Sequence, residues 1–121
     1  MDLKFVDADL IEQLERMPFE ALDDLQFGVI VMDRDGFVLA YNAFESSRAG
    51  IDREKVLGRH FFESVGPCTN NYLVAQRFID QPHLEEFLDY TFTLRMAPTP
   101  VRLRMLARTG SPRQYLAVIP K

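Results

Sequence analysis

Leu88-Asp89-Tyr90-Thr91-Phe92-Thr93-Leu94-Arg95-Met96 decides the fold, because Leu88, Tyr90, Phe92, Leu94 and Met96 alternate with Asp89, Thr91, Thr93 and Arg95. A period of two sends successive side chains to opposite faces, so this stretch reads as a strand with one buried and one wet face. Ala97-Pro98-Thr99-Pro100 then turns the chain. Val101, Leu103 and Met105 alternate with Arg102 and Arg104 in the next strand, and Thr109-Gly110-Ser111-Pro112 turns it into another, Gln114 to Ile119. Upstream, the β-rich runs Phe27 to Met32 and Phe37 to Tyr41 flank Asp33-Arg34-Asp35-Gly36, an Asp/Gly hairpin signal. Between the two groups of strands lie short helical pieces. Asn42 starts one over Ala43 to Arg48 that Gly50 closes, and Asp52 to Gly58 is a single capped turn with a terminal Gly. Two strands, several short helices and three more strands describe an α+β domain: a five-stranded antiparallel sheet with short helices on one face.

Ahead of the first strand, Asp7-Ala8-Asp9 caps an amphipathic helix with Leu10, Ile11, Leu14 and Met17 on one face, and Pro18 ends it. Phe19 to Leu25 is a second helical turn. These pieces read as an N-terminal helical cap, residues 1–25, laid on a core of residues 26–121. A contact surface that small can detach.

The only cysteine lies in His60-Phe61-Phe62-Glu63-Ser64-Val65-Gly66-Pro67-Cys68-Thr69. Pro67 fixes its own φ and biases Gly66 away from the helical region, so the chain turns there and presents Cys68 in a defined direction. Thr69, Asn70 and Asn71 are capping residues, and Tyr72 to Ile79 reads as a short helix. Cys68 is therefore expected at a helix N-terminus, where unpaired N–H groups and the positive dipole end favour a thiolate that can be acylated.

Composition narrows the partners. The 121 residues are 47% hydrophobic, with ten Phe and one Cys, which suits a globular chain in a reducing compartment such as the cytoplasm. The net charge of −4 argues against a nucleic-acid surface. No apolar run approaches the ~20 residues of a membrane span, and Met1-Asp2-Leu3-Lys4 lacks the basic start of a signal peptide. A soluble, untargeted monomer or weak dimer is expected.

The layout is that of a PAS domain, and three segments make the resemblance more specific. Tyr41-Asn42-Ala43-Phe44-Glu45, Gly58-Arg59-His60-Phe61-Phe62 and Val65-Gly66-Pro67-Cys68-Thr69 resemble the photoactive yellow protein family at matching spacing, as do Asp24-Leu25-Gln26-Phe27-Gly28 and Tyr90-Thr91-Phe92. The resemblance implies that Cys68 holds a p-coumaric acid chromophore through a thioester, with the phenolic oxygen bound by Tyr41 and Glu45. Four residues apart, these two side chains can reach one point at the start of a helix. A phenolate buried among Phe residues needs donors to replace water: Tyr offers an O–H, and a desolvated Glu offers one if it stays protonated. The Cys68 backbone N–H can serve the thioester carbonyl. Phe61, Phe62, Phe92 and Met96 are placed to line the slot, with Pro67 and Thr69 shaping the turn. The sequence departs from the family pattern at Ala49, where a threonine is usual, at Ile51, where an arginine covers the chromophore, and at Leu94, where an aromatic is usual.

Three functions compete. The first is a blue-light photoreceptor, not an enzyme, in which Glu45 gives a proton to the phenolate after isomerisation and the cap loosens toward an unidentified downstream signalling protein. The second is a PAS interaction module without a chromophore. The third is a cysteine-nucleophile enzyme with His60 as base, for which no third residue that orients His60 is evident.

Overall fold

The computed structural model describes residues 3–93 and 97–121. Strands β1 (Gly28–Asp33), β2 (Val38–Tyr41), β3 (Leu84–Phe92), β4 (Thr99–Ala107) and β5 (Arg113–Pro120) form one antiparallel sheet in the order β2-β1-β5-β4-β3. Helices α1 (Leu10–Arg16), α2 (Ala43–Ala49) and α3 (Ala75–Asp80) are joined by single 3-10 or π turns at Phe19–Asp24, Arg53–Lys55, Phe61–Val65 and Pro67–Thr69.

Register explains why both faces are apolar. Ile30 pairs with Leu116 and Leu116 with Met105, which builds an inner face together with Met32, Val101, Leu103 and Val118. One residue along, Val31 pairs with Tyr115 and Tyr115 with Leu106, which builds an outer face. The inner face is covered by Val56, Phe61, Phe62, Val74, Ala75 and Phe78 from the helical segments. The outer face is covered by Leu3, Phe5, Leu10, Ile11, Leu14 and Leu22 of the N-terminal segment. Strand β1 is buried on both sides, and so it reads as a continuous apolar run rather than an alternation.

Two sequence expectations need correction. Strand β3 begins at Leu84, four residues before the alternation becomes visible, and within the described residues it ends at Phe92; Leu94 and Met96 lie outside them. Its first half hides the period of two, because Glu86 shares a face with Leu84 and Leu88 at an exposed position while Phe87 on the other face stacks against Phe5, with centroids 5.8 Å apart. Helix α3 begins at Ala75 rather than Tyr72. The Asn71 side-chain oxygen accepts from the Leu73 and Val74 amides and holds those residues in a turn.

Candidate functional site

Tyr41 is the last residue of β2, and Asn42 caps α2 so firmly that the direction of the helix is fixed. Its Oδ1 accepts from the amides of Val29 (2.9 Å) and Glu45 (3.2 Å), and its Nδ2 donates to the carbonyls of Leu22 and Phe27, both at 2.9 Å. Every hydrogen-bonding position of this buried amide side chain is used. Glu45 consequently points inward from the first turn of α2 and is only 2% exposed. Gly28 makes room for it, since a Cβ there would lie 2.2 Å from Glu45 Oε1. Sequence reasoning assigned no role to Gly28; its signal was a glycine inside an otherwise β-branched run.

Arg48 is the partner of Glu45. Its Nε donates to Oε1 at 2.9 Å and its Nη2 to Oε2, a two-pronged ion pair between residues three apart on one helix. A guanidinium has only donors, so this two-pronged contact favours the ionised carboxylate. Burial pushes the Glu45 carboxyl above its ordinary value, and the hydrogen bond and charge of Arg48 pull it back only in part. Burial alone would lower the Arg48 pKa, but the hydrogen bond and charge of Glu45, together with Tyr41, hold it raised. Tyr41 is raised by burial and then by the Glu45 charge, with Arg48 opposing. The guanidinium also lies over the Phe92 ring, 5.1 Å from its centroid. Ile51, where the resemblance leads one to look for an arginine, packs against the core from the loop after α2. The cation comes instead from the preceding turn of helix.

From Phe92 the contacts run on to the cysteine. Tyr90 and Phe92 meet edge to face at 6.1 Å, and the Tyr90 hydroxyl donates to the Cys68 carbonyl. Asn71 Nδ2 reaches both that carbonyl (3.1 Å) and the Tyr90 oxygen (2.7 Å). Cys68, half-buried and free of any disulfide, sits in the single 3-10 turn Pro67–Thr69, not at the N-terminus of α3. The help expected from the N-terminus of the short helix that follows is therefore absent. What fixes the turn is local: the Thr69 hydroxyl donates to the Gly66 carbonyl at 2.6 Å, and a Cβ on Gly66 would lie 2.8 Å from Phe61 Cζ. Phe61 and Phe62 are buried and pack edge to face at 5.3 Å, beside Phe78.

The structure thus brings Tyr41, Glu45, Phe61, Phe62, Thr69 and Phe92 into or against one inner core, with Pro67 and Cys68 at its margin; Met96 lies outside the described residues. Arg48, Tyr90, Asn71 and Gly28 are additions to the set. His60 lies at the edge of the set: its Nδ1 accepts from the Glu63 amide at 3.2 Å, and its ring packs on Phe37 and against Phe62. A surface cleft of about 260 Å³ opens among Phe19, Leu39, Arg53 and Leu57 and reaches Tyr41 and Asn42, but Arg48, Phe92 and Cys68 do not line it.

Residues 22–116 match a family described as PAS fold. Photoactive yellow protein of Rhodothalassium salexigens is 34% identical over 106 residues, 85% of each chain. That of Halochromatium salexigens is 36% identical over 104 residues, 84% of this chain and 83% of its own. The chain belongs to the photoactive yellow protein family. The photoactive yellow protein domain of the sensor histidine kinase Ppr from Rhodospirillum centenum superposes with a TM-score of 0.81 at 33% identity, covering 89% of this chain and 97% of that domain. In this chain the cation beside the glutamate is the half-buried Arg48, three residues further along α2. Among the described residues no helix is long and apolar enough to cross a membrane.

Proposed function

We propose that this chain is a blue-light photoreceptor that carries p-coumaric acid as a thioester on Cys68 and binds the phenolic oxygen with Tyr41 and Glu45. The observation that carries this reading is one connected path, from the Glu45–Arg48 pair through Phe92 and Tyr90 to the backbone carbonyl of Cys68, which links an acid and a cation to the residue that bears the lone thiol. When bound, the group supplies an isomerisable double bond and an ionisable phenol. Cys68 Sγ forms its bond to an activated p-coumaroyl carbonyl as the activating group leaves with its electron pair and the thiol proton goes to solvent. Pro67 and Thr69 hold the turn, and the Cys68 N–H serves the thioester carbonyl. Phe61, Phe62 and Phe92, each under 5% exposed, exclude water. Glu45 stores a proton in the dark and gives it up after illumination, while Tyr41 keeps its own.

The chain is read as a cytoplasmic sensor that passes its state to another protein. That a family relative is a domain of a sensor histidine kinase supports this. The test is reconstitution with p-coumaric anhydride. The native chain should turn yellow and gain one p-coumaroyl adduct by intact mass, and Cys68→Ser should gain none. A colourless native chain would leave a PAS interaction module as the better reading.

A further inference from the structure

We propose that Arg48 is the exchangeable counter-ion of this site, bound to the Glu45 carboxylate before the chromophore is attached and to the phenolic oxygen afterwards, while Glu45 takes the phenol's proton. The inference rests on the photoreceptor reading and adds to it a charge partner that holds the site neutral throughout.

Among the described residues the titratable and charged groups at this end are few, and Asp23, which accepts from the Ala43 amide at the start of α2, is paired at the surface with Arg53. Tyr41 comes from β2, and Glu45 and Arg48 come from α2. Strand β1 contributes only Gly28, and β3 contributes Phe92, with the Tyr90 hydroxyl turned away to the Cys68 carbonyl. Before attachment the charges are −1 on Glu45 and +1 on Arg48, a sum of zero. Placing a phenolate beside an ionised Glu45 would leave a net −1 in a poorly solvated pocket, which is strongly disfavoured. The balance is restored when the neutral phenol hands its O–H proton to a Glu45 oxygen: the phenol becomes −1, Glu45 becomes neutral and Arg48 remains +1. No proton enters from solvent, and one ion pair replaces another. The Glu45 pKa, already raised by burial, makes the carboxylate a better base toward the phenol. Arg48 can serve both partners because its guanidinium has five donors and lies over the Phe92 ring. After illumination the exchange reverses: Glu45 returns the proton and recovers Arg48, so the newly formed carboxylate is paired rather than bare.

Two readouts test this, and one needs no chromophore. In the unloaded protein at neutral pH, infrared spectra with Glu45→Gln as the reference should show Glu45 ionised. Arg48→Met should shift Glu45 toward the protonated form. In the loaded protein, the phenol titration followed by absorbance should rise by about 1–3 pH units in Arg48→Met, the usual effect of removing a close opposite charge. Arg48→Lys, which keeps a cation without the fork, should fall between the two and serves if Arg48→Met is unstable. Failure of the native chain to take up the adduct overturns the photoreceptor reading, and the exchange with it. A loaded Arg48→Met or Arg48→Lys protein with one adduct and a native phenol titration, or an unloaded variant whose Glu45 titrates as in the native chain, overturns the exchange alone.

Discussion

Glu45 carries the pH dependence of the site. Its folded-state pKa is raised, chiefly by burial, so folding holds its proton more tightly than the unfolded chain does. Its contribution to stability is then complete below the unfolded value of about 4.3 and is lost as pH rises through the folded value. Asp89 behaves in the opposite sense: hydrogen bonds from Arg102 and then Lys121 pull its pKa down to about 2, so any stability it adds is present above about 3.9 and lost only toward pH 2. The two windows do not overlap. Unloaded protein should have a higher urea midpoint at pH 5 than at pH 7.5, and Glu45→Gln should shrink that difference; an unchanged difference contradicts the assignment. Gly28→Ala should act on the same carboxyl sterically. Its Cβ would collide with Oε1, so Glu45 must swing away, and the phenol of the loaded protein should titrate upward even though Arg48 and Tyr41 remain. At this scale the sequence singled out Tyr41, Glu45 and Cys68 through the family resemblance, and their roles are what the proposal rests on. Gly28 was not legible, because what matters is an absent side chain beside a residue seventeen positions away.

The N-terminal cap is held by polar contacts from the outer face of the sheet. Arg104, on β4 and only 5% exposed, donates through Nη1 to the carbonyls of Phe5 (2.9 Å) and Asp7 (2.6 Å) and lies over Phe87. Arg108 pairs with Glu12 at 3.0 Å, and the Tyr115 hydroxyl donates to Glu15. Hydrogen bonds to a charged group contribute about 1.5–3 kcal/mol each. Arg104→Met should therefore speed amide exchange in Leu10 to Leu14 by tenfold or more while leaving β1 and β5 within a few-fold of native. Equal acceleration in the cap and the sheet would mean that the cap does not open by itself. The cap helix was readable from Leu10, Ile11 and Leu14 at helical spacing. Arg104 was not, because its place among alternating residues marked it as solvent-facing, and only the returning N-terminal segment covers it. The turn after Cys68 was misread for a related reason. Asn71 looked like the cap of a helix beginning at Tyr72, yet its side chain holds a three-residue turn and also reaches Tyr90, a contact between segments distant in sequence.

Across the whole molecule, cap and chromophore end meet at Asn42. Its amide joins Leu22 of the cap segment to Phe27 and Val29 at the start of the sheet and to the Glu45 amide of α2. A change of charge on Glu45 is thus one residue's hydrogen bonds away from the segment that we propose loosens in the light. Asn42→Ala leaves several buried groups unpaired at about 1–3 kcal/mol each, so it should lower stability by more than about 3 kcal/mol and loosen the cap even in the dark. The overall architecture was legible because strand periodicity and turn residues agree with one another in the Phe27–Tyr41 hairpin and again from Leu88 through β4 and β5. Which face the cap covers was visible only in the unbroken apolar run of β1. Most direct of all is a flash experiment on the protein reconstituted at Cys68, following its visible band through a blue pulse and the dark that follows. A photoreceptor of this design should lose the band and regain it in the dark, with Glu45→Gln shifted in colour and altered in recovery. A coloured, singly loaded protein whose band does not respond to the pulse would contradict that function.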